Sequence, residues 1–260
     1  MKDKLSIIND LVSRFEPITL AEMDKVMLMN RTDTKFAFNI NKFPVILEEL
    51  KEFYRILEID NVRNFRYQSV YFDTQDKQMF HDHRVGRSIR FKIRRREYLD
   101  SGLNFMEVKQ KNAQGRTIKK RIKKKKHDHH FNDETVTFLR KVCPYEHGIL
   151  QPALVNTFNR LTLVHREDAE RLTIDIGLSF NDNNGNSCEL PFLLIAEVKR
   201  VGSACSSSFL KIMRKNGIRQ SSMSKYCMGT ILLDPEIKHN TFKPKLNHLK
   251  RIKNDFSRNS

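Results

Sequence analysis

The segment from Ile89 to Arg96 alternates apolar and cationic side chains, and this alternation constrains the fold more than any other feature of the sequence. Successive side chains of a β-strand point to opposite faces, so one face would pack on apolar structure and the other would carry a row of cations. Arg90, Lys92 and Arg94 lie on the cationic face together with Arg96. Taken alone, such a strand fits a solvated outer face as well as a binding surface.

The alternation recurs along the chain, which favours a shared anion-binding interior over several unrelated outer faces. Turn-like segments separate the predicted strands, so mostly antiparallel pairing is expected. The predicted strands are 34–40, 66–73, 87–97, 103–111, 116–123, 154–166, 170–180 and 191–200. Apolar spacing predicts helices at 4–12, 19–29, 42–57, 131–142 and 207–216. About eight strands suit a closed barrel whose interior holds side chains or one small ligand.

Two carboxylates interrupt the cationic pattern. Glu197 follows the apolar run 192–196, which is typical of a central buried strand, and Glu107 lies inside the segment 105–109. An isolated buried carboxylate is costly and needs a cation, either a side chain or a metal ion. Two such acids among many cations indicate a divalent-metal site in a phosphate-binding cavity. Ion pairs with neighbouring lysines or arginines are the alternative explanation.

The net charge of +17 favours a polyanionic partner, because such an excess of cations repels itself. Nucleic acid, an acidic membrane surface and a phosphorylated small molecule are all candidates on charge alone. The sequence shows no helix-turn-helix or zinc module, so specific nucleic-acid binding is not expected. We interpret the basic run 119–126 and the histidine-rich segment 127–130 as the end of a strand and a solvated loop.

Cysteine usage and hydropathy predict a cytoplasmic protein. The four cysteines form no Cys-x-x-Cys pair, which is typical of reduced thiols in the cytosol. No apolar stretch approaches the roughly 20 residues that cross a bilayer, and the charged first residues show no signal-peptide pattern. We therefore expect no membrane span within the chain, so that any coupling to a membrane would need a separate partner.

Short motifs occur in the order expected of one family. They are RTDTK at 31–35, YFDT at 71–74, KIR at 92–94, FMEVK at 105–109, NR at 159–160, RLTID at 171–175, IAEVK at 195–199 and SK at 224–225. The ordered set resembles the polyphosphate polymerase domain of the vacuolar transporter chaperone (VTC) complex and its bacterial relatives. That domain belongs to the CYTH-like, triphosphate tunnel metalloenzyme superfamily. The resemblance covers roughly residues 14–235.

The resemblance implies an α+β fold, a closed eight-stranded antiparallel β-barrel that forms a tunnel, with surrounding helices. It also implies transfer of the γ-phosphoryl group of ATP onto a growing inorganic polyphosphate chain, with release of ADP and with Mn²⁺ or Mg²⁺ as cofactor. We assign residues 1–238 to this single domain. Residues 239–260 are polar and basic and are expected to form a loosely ordered tail.

When the family's functional residues are matched to this sequence position by position, the resemblance implies a catalytic set, a phosphate-binding set and a metal ligand. The catalytic set is Lys35, Arg94, Arg160, Arg171 and Glu197. The phosphate-binding set is Lys35, Lys92, Arg94, Lys109, Arg160, Arg171, Ser224 and Lys225, to which the facing of the strands adds Arg90, Arg121 and Lys199. Glu197 is the implied metal ligand, and the strand pattern adds Glu107.

Three departures from the family pattern bear on nucleotide preference. Phe158 stands where the family often has Tyr, and Ser222 stands where the polymerase has Lys. The segment 31–35 has neither glutamate of the superfamily's Glu-x-Glu-x-Lys, with Arg31 and Asp33 at those positions. Two alternatives to a polymerase therefore stay open, a triphosphatase or polyphosphatase on the same fold and a non-catalytic protein that binds polyphosphate or nucleic acid.

Overall fold

One large β-sheet organises the chain. The structure is a computed structural model that describes residues 2–25, 31–125, 131–201 and 207–258. The strands are β1 Pro17–Ile18, β2 Thr32–Asn39, β3 Tyr54–Leu57, β4 Phe65–Asp73, β5 Arg90–Tyr98, β6 Leu103–Lys111, β7 Thr117–Lys124, β8 Gln151–His165, β9 Glu170–Asn181, β10 Ser187–Leu190 and β11 Leu193–Arg200. The helices are α1 Lys2–Ser13, α2 Leu20–Lys25, α3 Phe43–Leu50, α4 Gln78–Val85, α5 Asp133–Val142, α6 Ser208–Lys215, α7 Lys225–Leu233 and α8 Lys243–Arg258.

The main strands follow the order β2-β11-β9-β8-β4-β5-β6-β7, and each neighbouring pair is antiparallel. The short strand β1 pairs in parallel with β3, and β10 continues the sheet beside β9. The α+β class and the antiparallel pairing are therefore confirmed. The histidine-rich segment 127–130 and the predicted helical end at 26–29 lie outside the described residues.

The prediction of a closed barrel is wrong, because β2 and β7 end the sheet without pairing with each other. The outer edge of β2 is already occupied. The backbone oxygen of Lys35 accepts a hydrogen bond from the backbone N–H of Ser221 at 2.8 Å, and Phe36 forms a bridge with Gln220. A strand edge satisfied in this way has fewer free groups left for β7.

The two faces of the sheet differ in character. One face packs against α1, α3 and α6 in a large apolar cluster, and α5 covers the apolar side chains of β5 and β6. The opposite face, called here the cationic face, carries Arg94, Lys109, Arg160 and Glu197, as the register shows. The alternation seen in β5 therefore separates an apolar core side from a charged side, as a half-buried strand requires.

The C-terminal segment differs from the loosely ordered tail that its composition predicts. Residues 243–258 form α8, in which Leu249 and Ile252 are buried. The ring of Phe256 lies 6.2 Å from that of Phe192, between centroids. These apolar side chains recur at helical spacing on one face, so α8 is an amphipathic helix docked on the domain.

Candidate functional site

Neighbouring strands bring the predicted site residues together on the cationic face. The register pairs Lys35 with Glu197 across β2 and β11 and pairs Arg94 with Glu107 across β5 and β6. It also places side by side Lys92 and Lys109, Lys199 and Arg171, and Arg160 and Asp175. Side chains directly opposite on one face lie within contact distance. Cations from separate parts of the sequence therefore line one face.

Glu107 is committed to two cations. Arg94 donates from Nε and Nη2 to Oε2 of Glu107 at 2.8 and 2.7 Å, and Lys119 contacts Oε1. The Glu107 side chain is fully buried. Burial alone would raise the pKa of this carboxyl, but Arg94, Arg96 and Lys119 lower it to about 2. Glu107 therefore stays ionised and holds Arg94 in place.

Asp175 plays the same part on the other side of the site, and sequence reasoning did not single it out as a site residue. Arg160 donates from Nε and Nη2 to its two oxygens at 2.6 and 2.9 Å, and Lys225 contacts Oδ2. Such a bidentate pair fixes the guanidinium plane. Burial would raise the pKa of Asp175, yet Arg160 and Lys225 hold it well below its usual range. The RLTID motif contained this signal, since Asp175 shares a strand face with Arg171.

Phe158 provides an aromatic surface under these cations. Lys225 Nζ lies 3.8 Å from the centroid of its ring, and the Arg160 guanidinium lies 5.3 Å from it. Attraction between a cation and the face of an aromatic ring contributes about 0.5–2 kcal/mol. The ring also stacks on Tyr67 at 5.3 Å between centroids. Phe158 therefore supports the cations without supplying a hydroxyl.

Glu197 is held more loosely than the other two acids. Lys35 Nζ forms an ion pair with its Oε1 at 2.9 Å, and the side chain is 23% exposed. Burial would raise the pKa of Glu197, but Lys199 and Lys35 lower it to about 2. An ionised carboxylate with part of its surface open can accept a further ligand.

The donor set around Glu197 fits a divalent metal only if phosphate oxygens and water complete it. No group of three acidic, histidine or cysteine side chains that could hold a metal ion occurs in the described ranges. Mg²⁺ commonly binds one or two carboxylates together with substrate phosphates and waters. Glu197 meets that requirement, whereas both oxygens of Glu107 face cationic side chains.

Lys109 and Arg96 are among the site cations that have no carboxylate partner within the described residues. The side chain of Lys109 forms neither a hydrogen bond nor an ion pair with any residue that the structure describes, and burial together with Arg94 and Arg96 lowers its pKa to about 6. Arg96 donates from Nε to Ser69 Oγ at 3.3 Å, and burial with Arg94 and Arg160 lowers its pKa to about 10. An anionic ligand would relieve this repulsion. Sequence reasoning placed Arg96 on the right face but omitted it from the site.

The helix α7 brings two more predicted residues to the cationic face. Lys92 Nζ lies 3.0 Å from Ser224 Oγ, which also caps α7 by accepting the backbone N–H of Cys227. Gly229 allows the close approach, because a Cβ there would lie 2.5 Å from the Phe180 ring. The helix therefore packs tightly on the sheet and fixes the position of Lys225.

Three further predicted residues contact backbone oxygens or an aromatic ring. Arg171 donates from Nη2 to the backbone oxygen of Met23 at 2.9 Å, and Arg90 donates from Nη1 to that of Arg87 at 2.6 Å. Arg121 is exposed, with its guanidinium 4.6 Å from the Phe105 ring.

The chain matches the profile of one protein family and is similar to several solved structures. The profile of the VTC domain family matches residues 30–233. A search of curated proteins finds no match. Among solved structures, the chain is similar to a Bacillus halodurans protein provisionally described as an adenylate cyclase, with TM-score 0.49 and 15% identity over 75% of this chain and 96% of that one.

Two further solved structures are similar at the same distant level. One is an adenylyl cyclase candidate from Hippeastrum described as having a dominant triphosphatase activity, with TM-score 0.47 and 12% identity over 75% of this chain and 93% of that one. The other is a Pyrococcus horikoshii protein, with TM-score 0.44 and 14% identity over 80% of this chain and 99% of that one.

The fold and the site define an antiparallel α+β protein with a cationic sheet face. The chain belongs to the VTC domain family, whose profile spans the whole cationic face. Family membership indicates an enzyme that transfers or hydrolyses phosphoryl groups. None of the described helices has the length and apolar character to span a membrane.

Proposed function

We propose that the protein is a metal-dependent polyphosphate polymerase, which transfers the γ-phosphoryl group of ATP to a growing polyphosphate chain and releases ADP. The observation that carries the proposal is a surplus of buried and half-buried cations around one partly exposed acid, Glu197. Lys109 and Arg96 lack carboxylate partners, while Glu197 keeps an open side. A chain of phosphates would satisfy both cations.

The geometry supports binding of several phosphates in a row. Glu107 orients Arg94, and Asp175 orients Arg160, so two guanidinium groups are held at fixed positions before any ligand arrives. Arginine binds phosphate oxygens through a planar fork and lysine through a compact charge. In phosphoryl transfer the protein contributes mainly position and charge neutralisation. Cations that are already oriented serve both purposes.

The proposed reaction needs no protein nucleophile. A terminal phosphate oxygen of the acceptor chain, already an anion, forms the new bond to the γ-phosphorus of ATP. The bond from that phosphorus to the β–γ bridging oxygen breaks, and its electron pair leaves with ADP. Arg94, Arg160 and Lys225 would hold the phosphates in line and neutralise the charge that develops on their oxygens.

A bound Mn²⁺ or Mg²⁺ would neutralise charge on the phosphate oxygens, and Glu197 is the residue that would hold it. Lys35 pairs with the same carboxylate and would orient it toward the phosphates. The metal-binding role of Glu197 and the orienting role of Lys35 are both parts of the proposal.

The test is incubation of the pure protein with ATP and Mn²⁺ or Mg²⁺, with products followed by gel electrophoresis and ³¹P NMR. Long phosphate polymers together with ADP are expected. Free orthophosphate alone would instead identify a triphosphatase, and no metal-dependent change would identify a binding protein.

A matched pair of lysines tests whether the cationic face is the binding site. Lys109→Met should weaken tripolyphosphate binding about tenfold, because a half-buried amine with no carboxylate partner among the described residues is removed. Lys120→Met is the control, since Lys120 lies opposite Val108 in the register and so points to the other face of the sheet. Equal affinities for the two variants in a calorimetric titration would exclude this site.

A further inference from the structure

The end of the cationic face nearest the β5–β6 hairpin carries aromatic side chains. Tyr98 of β5 lies opposite Tyr67 of β4 in the register, and Phe105 of β6 lies two positions from Glu107. Alternate residues of a strand share a face, so Tyr98 lies on the same face as Arg94, and Phe105 on the same face as Glu107. The rings of Tyr67, Tyr98 and Phe105 are called here the aromatic end of the cationic face.

The rings of the aromatic end contact one another without stacking in parallel on Tyr98. The centroid of the Tyr98 ring lies 4.8 Å from that of Tyr67 and 5.8 Å from that of Phe105, at interplanar angles of 54° and 75°. Tyr98 and Phe105 are only half-buried, and Leu103 beside them is 39% exposed. The aromatic end therefore presents apolar surface to solvent on a face that is otherwise charged.

The hairpin that carries Tyr98 is fixed to the neighbouring strand β4. The carboxylate of Asp100 accepts hydrogen bonds from the backbone N–H of Arg66 at 2.6 Å and from its Nε at 2.8 Å. The backbone N–H of Leu99 donates to the backbone oxygen of Arg66 at 2.9 Å. A ring held in place before a ligand arrives loses little conformational entropy when the ligand binds.

Cations adjoin the aromatic end directly. The Arg121 guanidinium lies 4.6 Å from the centroid of the Phe105 ring, and that of Arg96 lies 5.6 Å from the centroid of the Tyr67 ring. Arg94 lies two positions before Arg96 on β5, about 7 Å along the strand. The aromatic surface is therefore continuous with the cations proposed to bind phosphates. Aromatic rings beside a row of cations are the combination that binds the bases and phosphates of nucleotides together.

The opposite end of the cationic face is covered by helices. Lys92 lies two positions from Arg94 in the other direction, and its Nζ lies 3.0 Å from Ser224 Oγ at the start of α7. On the β2 side of the same end, Nε2 of His248 in α8 lies 3.0 Å from the backbone oxygen of Ala37. A ligand with phosphates at the centre of the face and a bulky group at one end would therefore extend that group toward the aromatic end.

We propose that the aromatic end is the binding site for the base of a nucleoside triphosphate, which stacks on the ring of Tyr98 while its phosphates bind the neighbouring cations. The proposal rests on the proposed function for its ligand, ATP, and adds the position of the nucleoside part. Its structural basis is the half-buried ring of Tyr98, the fixed hairpin and the continuity with Arg96 and Arg94.

The test compares ATP with tripolyphosphate, since both carry three phosphates and only ATP carries a base. Affinities of the full chain are measured by calorimetric titration at one salt concentration without a divalent metal, so that no turnover is expected. Tyr98→Leu should weaken ATP binding about fivefold or more, because stacking is lost, and should change tripolyphosphate binding less than about twofold. Tyr98→Phe keeps the ring and should bind both ligands like the wild type.

Phe53→Leu is the matched control, because it also removes a partly exposed ring. Phe53 is 37% exposed and stacks on His165. His165 lies five positions from Arg160 on β8 and so points to the other face of the sheet. Phe53→Leu should leave the affinities for ATP and for tripolyphosphate unchanged.

Equal weakening of the two ligands in Tyr98→Leu, or an unchanged affinity for ATP, would overturn the proposal. Saturation-transfer NMR on the wild type is a second measurement that needs no variant. Transfer from the protein to the base protons of ATP is expected, and its absence while tripolyphosphate displaces the ATP would also overturn the proposal.

The two proposals fail separately. If Lys109→Met still binds tripolyphosphate normally, the phosphate site itself is wrong. If Lys109→Met weakens tripolyphosphate binding as expected and Tyr98→Leu leaves ATP binding unchanged, the base site alone is wrong.

Discussion

Glu107 and Glu197 occupy the same local sequence, Glu-Val-Lys, in β6 and β11, yet the structure gives them different surroundings. Glu107 is fully buried and contacts two cations, Arg94 and Lys119. Glu197 is 23% exposed and forms an ion pair with Lys35. The comparison separates an acid that organises cations from an acid that is open to a ligand.

The difference follows from strand position. β6 lies between β5 and β7, so cationic strands flank Glu107 on both sides. β11 lies between β2 and β9, and Glu197 faces Lys35 on one side but the hydroxyl residue Thr173 on the other. A carboxylate with cations on both sides has its oxygens satisfied, whereas one with a cation on a single side has acceptor capacity left.

The strongest test of this comparison is Glu197→Gln. We expect turnover to fall by about a thousandfold or more, equivalent to about 4 kcal/mol of transition-state stabilisation, because the carboxylate proposed to hold the metal is lost. Polyphosphate binding should be largely retained, since the cations stay in place. Steady-state kinetics and a binding titration on the same preparation measure the two effects. Normal turnover would show that Glu197 is not the metal ligand.

The same substitution at the other acid, Glu107→Gln, should act on folding. Removing one partner of a buried ion pair leaves Arg94 uncompensated, and we expect the free energy of unfolding to drop by about 3 kcal/mol at neutral pH. The folded-state pKa of about 2 lies below the ordinary 4.5, so this stabilisation is present above 4.5 and is lost as the pH falls toward 2. Denaturant unfolding at several pH values measures it. An unfolding free energy equal to that of Glu197→Gln would erase the distinction between the two acids.

Strand periodicity predicted the cationic face because side-chain direction is a local property of a strand. Phe91 and Ile93 are buried on the apolar side of β5, and Arg94 faces Glu107 on the other, as the alternation indicated. The partners of each charge were not predictable in this way. Asp175 pairs with Lys225 across 50 positions of sequence, and periodicity carries no information about such a contact.

Whether the sheet closes and whether the C-terminal segment forms a helix also depend on contacts between residues far apart in the sequence. The β2 edge is occupied by residues far along the chain, Ser221 and His248. The sequence around neither residue has the alternation of a strand, so contact with a strand edge could not be predicted there. The predicted helix 42–57 ends early, because Tyr54 and Ile56 are buried in β3 against β8. Apolar spacing compatible with a helix was overridden there by pairing with the sheet.

The smallest expected effect is a pH dependence of ligand affinity that arises from Lys225. Lys225 contacts Asp175. Like Glu107, Asp175 is contacted by two cations. Burial lowers the pKa of Lys225 to about 8, although Asp175 opposes the shift. A terminal phosphate ester loses its last proton near about pH 6, so with ATP as the ligand the ligand charge changes little between pH 7 and 9 while Lys225 loses its own. ATP affinity should therefore fall by up to about tenfold over that range. Lys225→Arg keeps its charge and should flatten the dependence; an identical slope for the variant and the wild type would show that Lys225 does not titrate at the site.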